Sequence, residues 1–136
     1  LPAFAGQEAE ALIATTASQI SDPARGKDAF RESIDVPAVA RFTLGKHARR
    51  ISDEEHKRFT AAFDSFIAST FDKHNDDFIN AKVEVIGSVD RSPRDSIVET
   101  RVKPAGKDEM TVRWRVMERD GEWRVVDVEV LGLWLA

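Results

Sequence analysis

Around the polar run DKHNDD, Asp72–Asp77, the spacing of apolar residues changes from helical to alternating, and that switch leaves the chain few architectures. Ahead of it, Ala9, Leu12, Ile13, Thr16 and Ile20 recur at helical spacing over Glu8–Ile20. Phe30 and Ile34 share a face, as do Val36, Val39, Ala40 and Leu44. Beyond it the period is two: Val83, Val85 and Val89, then Val98, Thr100 and Val102, then Met110, Val112, Trp114 and Val116, and last Val126, Val128 and Val130. Helices that precede strands, rather than interleave with them, predict an α+β fold in which N-terminal helices pack on a four-stranded antiparallel sheet. No repeat, low-complexity tract or linker divides the chain, and 136 residues suit one domain, 1–136.

Short polar residues punctuate the helical half. Asp22 is placed to cap a second helix with Pro23 at its first position, and Asp35 to cap a third with Pro37 in its first turn. Gly45 suits a left-handed stop to that third helix. Ser52 and Glu55 form the capping box S-x-x-E of a fourth, with Asp53 and Glu54 also favoured at the positive end of its dipole. Asp120-Gly121 predicts a type I′ hairpin between the last two strands.

The fourth helix carries FTAAFDSFIASTF, with four of the chain's eight phenylalanines on thirteen residues. Phe59, Ala62, Phe63, Phe66, Ile67, Thr70 and Phe71 follow the progression of one wide apolar face. From periodicity alone the stripe suits a filled core as well as the wall of a cavity for an apolar ligand.

Composition narrows the chemistry by exclusion. No apolar run approaches the ~20 residues of a membrane-spanning helix. A formal net charge of −4 lacks the general basic footprint of a nucleic-acid binder. The absence of cysteine removes disulfides and thiolate metal sites. His47, His56 and His74 have no metal-ligand spacing and sit in polar contexts read as surface. DKHNDDF lacks the glycine and distal glutamate of an EF-hand loop. With no G-x-S-x-G and no glycine-rich phosphate loop, no catalytic residue, metal or cofactor is expected. Two basic groups, Arg113 with Arg115 on the outward face of the third strand, and Arg41, Lys46, His47, Arg49 and Arg50 at the end of the third helix, read either as solvated faces or as docking surfaces. The chain begins at Leu1 rather than Met. AFA at Ala3–Ala5 resembles the tail of a leader cleavage site, and Phe4 is expected as an early helical residue.

Two blocks, FRESIDVPAVARFTLGKHARRISDEEHKRFTAAFDSFIASTF and, much later, GEWRVVDVEVLGLWLA, resemble the periplasmic phospholipid-binding family also called the toluene-tolerance or MlaC family. The likeness covers about Phe30 to Leu133. The pattern D-V-x-x-[IV]-A-x-[FY]-x-L-G falls on Asp35–Gly45, the aromatic helix on Phe59–Phe71 and W-[KR]-V-x-D-V on Trp123–Val128. This chain has HAR at His47–Arg49 where the family usually has an aromatic pair, and it stops at Ala136 where members normally continue into a C-terminal helix.

The resemblance implies an α+β fold with an apolar cavity between helices and sheet, a signal peptide removed on export to the periplasm, and no catalysis. It implies a carrier, expected as a monomer, that holds phospholipid acyl chains and exchanges lipid with the membrane-bound complexes of an ABC transport system maintaining outer-membrane asymmetry. The residues expected to line the cavity are Leu44, Phe59, Ala62, Phe63, Phe66, Ile67 and Phe71 from the helices. Val112, Trp114, Val116, Val126, Val128 and Val130 are expected from the sheet. Two other readings remain. A small cone-fold enzyme of isomerase or dehydratase type needs an inward titratable group, for which Asp64 lies at the stripe's edge and Asp127 out of phase with Val126 and Val128. A ligand-free interaction module needs a fully packed interior.

Overall fold

A computed structural model describes residues 5–130 and 132–134. Phe4 and the rest of the cleavage-like tripeptide before Ala5 lie outside the described residues. The helical half comprises α1 (Ala5–Ile20), α2 (Gly26–Ser33), α3 (Val36–Leu44), a 3-10 helix (Gly45–Arg49), α4 (Asp53–Lys73) and the single turn α5 (Asn75–Phe78). The strands follow as β1 (Lys82–Ser92), β2 (Asp95–Lys103), β3 (Met110–Arg119), β4 (Glu122–Val130) and β5 (Leu133–Trp134), an antiparallel meander in chain order. The α+β arrangement is as expected, with β5 added to the four anticipated strands. Two residues show no period, and β5 is recognisable only from its pairing with Glu129 and Val130.

Local chemistry accounts for most boundaries. Ser52 Oγ accepts from Glu55 N–H at 3.1 Å while the Glu55 carboxylate accepts from Ser52 N–H at 3.3 Å, so the capping box forms in full. Gly45 ends α3 at φ +54°, and Asp120 and Gly121 take φ +52° and +81°, both positive as a type I′ turn requires. The second helix begins later than expected. Asp22 accepts from Ala24 N–H at 2.8 Å and so closes a turn over Pro23, while α2 itself starts at Gly26. Its neighbour Ile34 falls beyond the helix and makes a parallel bridge to Val125, docking the α2–α3 junction on β4.

Three register shifts interrupt the pairing, one of them between Asp90 and Ser92 at the end of β1, and the other two displace apolar residues. On β1, Val85 pairs with Thr100 and Gly87 with Glu99, so Ile86 is extra and the face reverses beyond it. Val83 and Val85 stay half-buried, but Val89, expected beside them, is 69% exposed and pairs with Ile97. On β4, Arg115 pairs with Asp127 and Val116 with Val125, which makes Val126 the extra residue.

The core lies between α1 and the sheet, because α1 crosses β1 and β2 and reaches β3 and β4. Ala9, Ile13 and Ile20 of α1 meet Ala29, Phe71, Val98, Val112, Trp114, Val116 and Val125 in one buried cluster. Inside it, the Trp114 indole N–H donates to Thr100 Oγ1 at 2.9 Å and Thr100 passes a hydrogen bond to the Val112 carbonyl at 2.8 Å. The buried polar atoms of this pair are thus satisfied without water.

Candidate functional site

The aromatic face of α4 divides along its length. At the C-terminal end Ile67 and Phe71 are buried, and the Phe71 ring joins Phe30 and Phe78 in a triad with centroids 5.3–5.4 Å apart. At the N-terminal end Phe59, Phe63 and Phe66 form a continuous row with centroids 6.2 and 6.1 Å apart, which the described residues cover only in part. Phe59 and Phe63 are half-buried, Phe66 is 59% exposed, and Ala62 between them is exposed. Leu44 is half-buried at the end of α3.

The sheet residues expected at the site mostly enter the core. Val112, Trp114 and Val116 belong to the buried cluster with Phe71, and Val128 and Val130 pack against it. The β4 bulge puts Val125 into that cluster where alternation places Val126, and Val126 is buried outside it. A cavity of about 470 Å³ opens at the helical margin, lined by Pro23, Ala24, Gly26, Lys27, Asp28, Phe71, Asp72 and Ile79. Lys27 and Asp72 form an ion pair across that margin at 2.9 Å. Gly26 leaves it open by close approach: a Cβ there would stand 2.4 Å from the Ile20 carbonyl oxygen and 2.7 Å from Ile79 Cδ1.

Polar groups near the row carry one signal that sequence reasoning missed. His56, read as a surface residue, is half-buried, and its Nε2 is enclosed without a hydrogen-bond partner among the described residues, as is Thr60 Oγ1 one turn later. Both precede a row phenylalanine by three residues. An apolar flank on only one side of each residue gave the sequence no way to show this.

The two basic groups separate cleanly. Arg113 pairs with Glu99 at 2.9 Å and Glu129 at 2.6 Å, and its hydrogen bond to Glu129 raises the guanidinium further above its ordinary range. Arg115 holds Asp95 through two nitrogens at 2.8 and 3.2 Å, with Asp127 opposite it in register. The strip that read as basic is therefore the centre of an ionic ladder whose outer rungs on β2 and β4 are acidic. By contrast Arg41, Arg49 and Arg50 are exposed and make no ion pair among the described residues. Neither carboxylate weighed as an enzyme candidate is an isolated inward acid. Asp64 pairs with Arg31 at 2.7 Å, and Asp127 accepts from Val128 N–H at 2.8 Å in the outward register. Among the described residues no group of three or more His, Cys, Asp or Glu is arranged to hold a metal ion, and no helix is long and apolar enough to cross a membrane.

The family model of the MlaC protein matches residues 8–136. The chain belongs to the MlaC family. Its backbone is similar to the solved phospholipid-binding protein from Ralstonia solanacearum in complex with a phospholipid. The TM-score is 0.75 at 18% sequence identity, over 98% of this chain and 81% of that one. At that identity the likeness shows a shared fold. None of the curated proteins matches. The two motif blocks read in the sequence, Asp35–Gly45 and Trp123–Val128, meet where Asp35 N–H donates to the Val125 carbonyl at 3.4 Å. The blocks distant in sequence thus meet in space.

Proposed function

We propose that this protein is a periplasmic, non-catalytic phospholipid carrier that exchanges lipid with membrane-bound transport complexes. The observation that carries the reading is the row Phe59–Phe63–Phe66, an apolar surface that the described residues leave partly open beside a packed core. Family membership over residues 8–136 and a fold shared with a protein crystallised with phospholipid support it. In this reading the acyl chains lie against Leu44, Phe59, Ala62, Phe63, Phe66 and Ile67. Phe71, Val112, Trp114, Val116, Val126, Val128 and Val130 form the apolar mass behind them.

The physical demand is simple. Each acyl CH₂ exposed to water costs about 0.8 kcal/mol, so a lipid of ordinary chain length does not cross an aqueous space unescorted. A carrier needs a surface of apolar atoms and no reaction. Protein purified without detergent and extracted with organic solvent is expected to yield phospholipid in near-stoichiometric amount by mass spectrometry. Lipid-free protein that also takes up none from liposomes overturns the proposal.

A further inference from the structure

Residues 41–58 hold six arginines and lysines against three carboxylates, in a chain whose formal net charge is −4. Elsewhere many cations are matched: Arg113 and Arg115 on the sheet, Arg31 and Lys27 on α2, and Lys107 with Asp77 all have carboxylate partners, whereas exposed Arg91, Arg94 and Arg119 are scattered single cations with no ion pair among the described residues. In this corner Arg41, Arg49, Arg50 and Arg58 are exposed and have no ion pair among the described residues. Of the three carboxylates there, Glu55 is engaged in the capping box. Asp53 and Glu54 sit in the first turn of α4, where the helix dipole favours them.

Further along α4 stands the exposed aromatic edge. Arg58, Ala62 and Phe66 are spaced i, i+4 and i+8, which puts them on one face of α4, and all three are exposed. The exposed neighbours Ala61, Ser65 and Ser69 are small, so the Phe66 ring stands clear. Exposed guanidinium groups before and at the start of α4, with a protruding ring two turns beyond Arg58 on the same helix face, match the interface of an anionic bilayer. Phosphates there meet the cations, and an aromatic ring settles at headgroup depth. Small side chains around the ring offer little to recognise one particular protein epitope.

We propose that the 3-10 segment Gly45–Arg49, Arg50 and the outer face of α4 around Arg58 and Phe66 dock this protein on anionic phospholipid bilayers. The proposal goes beyond lipid carriage and rests on that reading only in giving the protein a reason to approach a bilayer. Docking there brings the aromatic row to the membrane surface, so that a lipid passes between them without crossing bulk water.

The test is co-sedimentation of the full chain with vesicles of phosphatidylcholine alone or mixed with phosphatidylglycerol, at low salt and again near 1 M, where the Debye length is ~3 Å. Binding is expected only to the mixed vesicles and is expected to be lost at high salt. Each cation near such a surface contributes roughly fivefold in partitioning, so Arg49→Glu with Arg50→Glu should lower binding at least tenfold, and Phe66→Ser several-fold. Arg91→Glu with Arg94→Glu, an equal charge change at the exposed β1–β2 turn, should leave binding within about twofold if the corner and not net charge governs it. Circular dichroism checks that each variant is folded. Failure to bind mixed vesicles at low salt overturns the proposal and leaves an acidic protein surface as the complement. An equal loss from the Arg91/Arg94 reversal overturns it too. Extracted lipid separates this from the carrier reading and is read on the Arg49/Arg50 variant, because Phe66 is itself placed against the acyl chains: loss of docking with phospholipid retained supports both, whereas docking by a lipid-free chain supports docking and removes carriage.

Discussion

The two ends of α4 repeat apolar residues at the same spacing and meet opposite fates. Phe71 is 2% exposed within a triad of rings, whereas Phe66, five positions earlier, is 59% exposed. The difference lies in what the rest of the chain lays against each turn. α1, α2, α5 and the sheet converge on Phe71, while among the described residues Phe59 and Phe63 are only half-buried and Phe66 is exposed. An amphipathic period states which residues share a face, and the tertiary arrangement decides whether that face is core or surface.

The comparison predicts its own asymmetry. Phe71→Ala removes a ring from a site that cannot collapse, and about 3–5 kcal/mol of stability should be lost. Phe66→Ala should change stability by less than about 0.5 kcal/mol. Denaturant midpoints measure both, and similar losses at the two positions would erase the distinction. Ser52→Ala removes the cap from the end of α4 that has the sparser tertiary support. About 1 kcal/mol is expected, with extracted lipid falling if the row needs a well-formed first turn. Ala62→Trp sharpens the contrast further. Because Ala62 is exposed, the added ring should leave the melting midpoint nearly unchanged while lowering lipid per folded molecule. A filled core would instead lose about 1–3 kcal/mol with no lipid to displace.

The smallest effect concerns the tie between α5 and the β2–β3 loop. The hydrogen bond from Lys107 holds the Asp77 carboxyl below its ordinary value against a lesser opposing effect of burial, and His74 adds to the lowering. A depressed folded value means that this contribution is complete above the ordinary carboxylate range near ~3.9 and is lost as pH falls through the lowered value. Asp77→Asn should therefore lower the melting midpoint slightly at neutral pH and converge on the unsubstituted protein below about pH 4, which flattens the acid limb. An unchanged acid limb would show that the tie carries no stability at the buried end of α4.

Much of the architecture was legible because it depends on neighbours in sequence. The capping box at Ser52, the stop at Gly45 and the turn at Asp120-Gly121 use residues within three positions of one another, and all three form as read. The order of helices and strands followed from a change of period. The bulges were not legible, since Ile86 and Val126 are ordinary strand residues whose extra place is defined only by the partner strand. The same limit applies to Asp22, whose capping oxygen serves a local turn as readily as a helix.

For function the division is similar. Sequence alone determined the aromatic content of α4, the family motifs at Asp35–Gly45 and Trp123–Val128, and the excess of cations in residues 41–58. Tertiary structure alone decided that Arg113 and Arg115 are neutralised by Glu99, Glu129 and Asp95, while Arg49 and Arg50 remain unpaired among the described residues. It also decided that Phe71 is core while Phe66 stands in solvent. The physical reason is that periodicity and capping act over one or two turns of chain, whereas burial and charge pairing depend on residues brought together from tens of positions away.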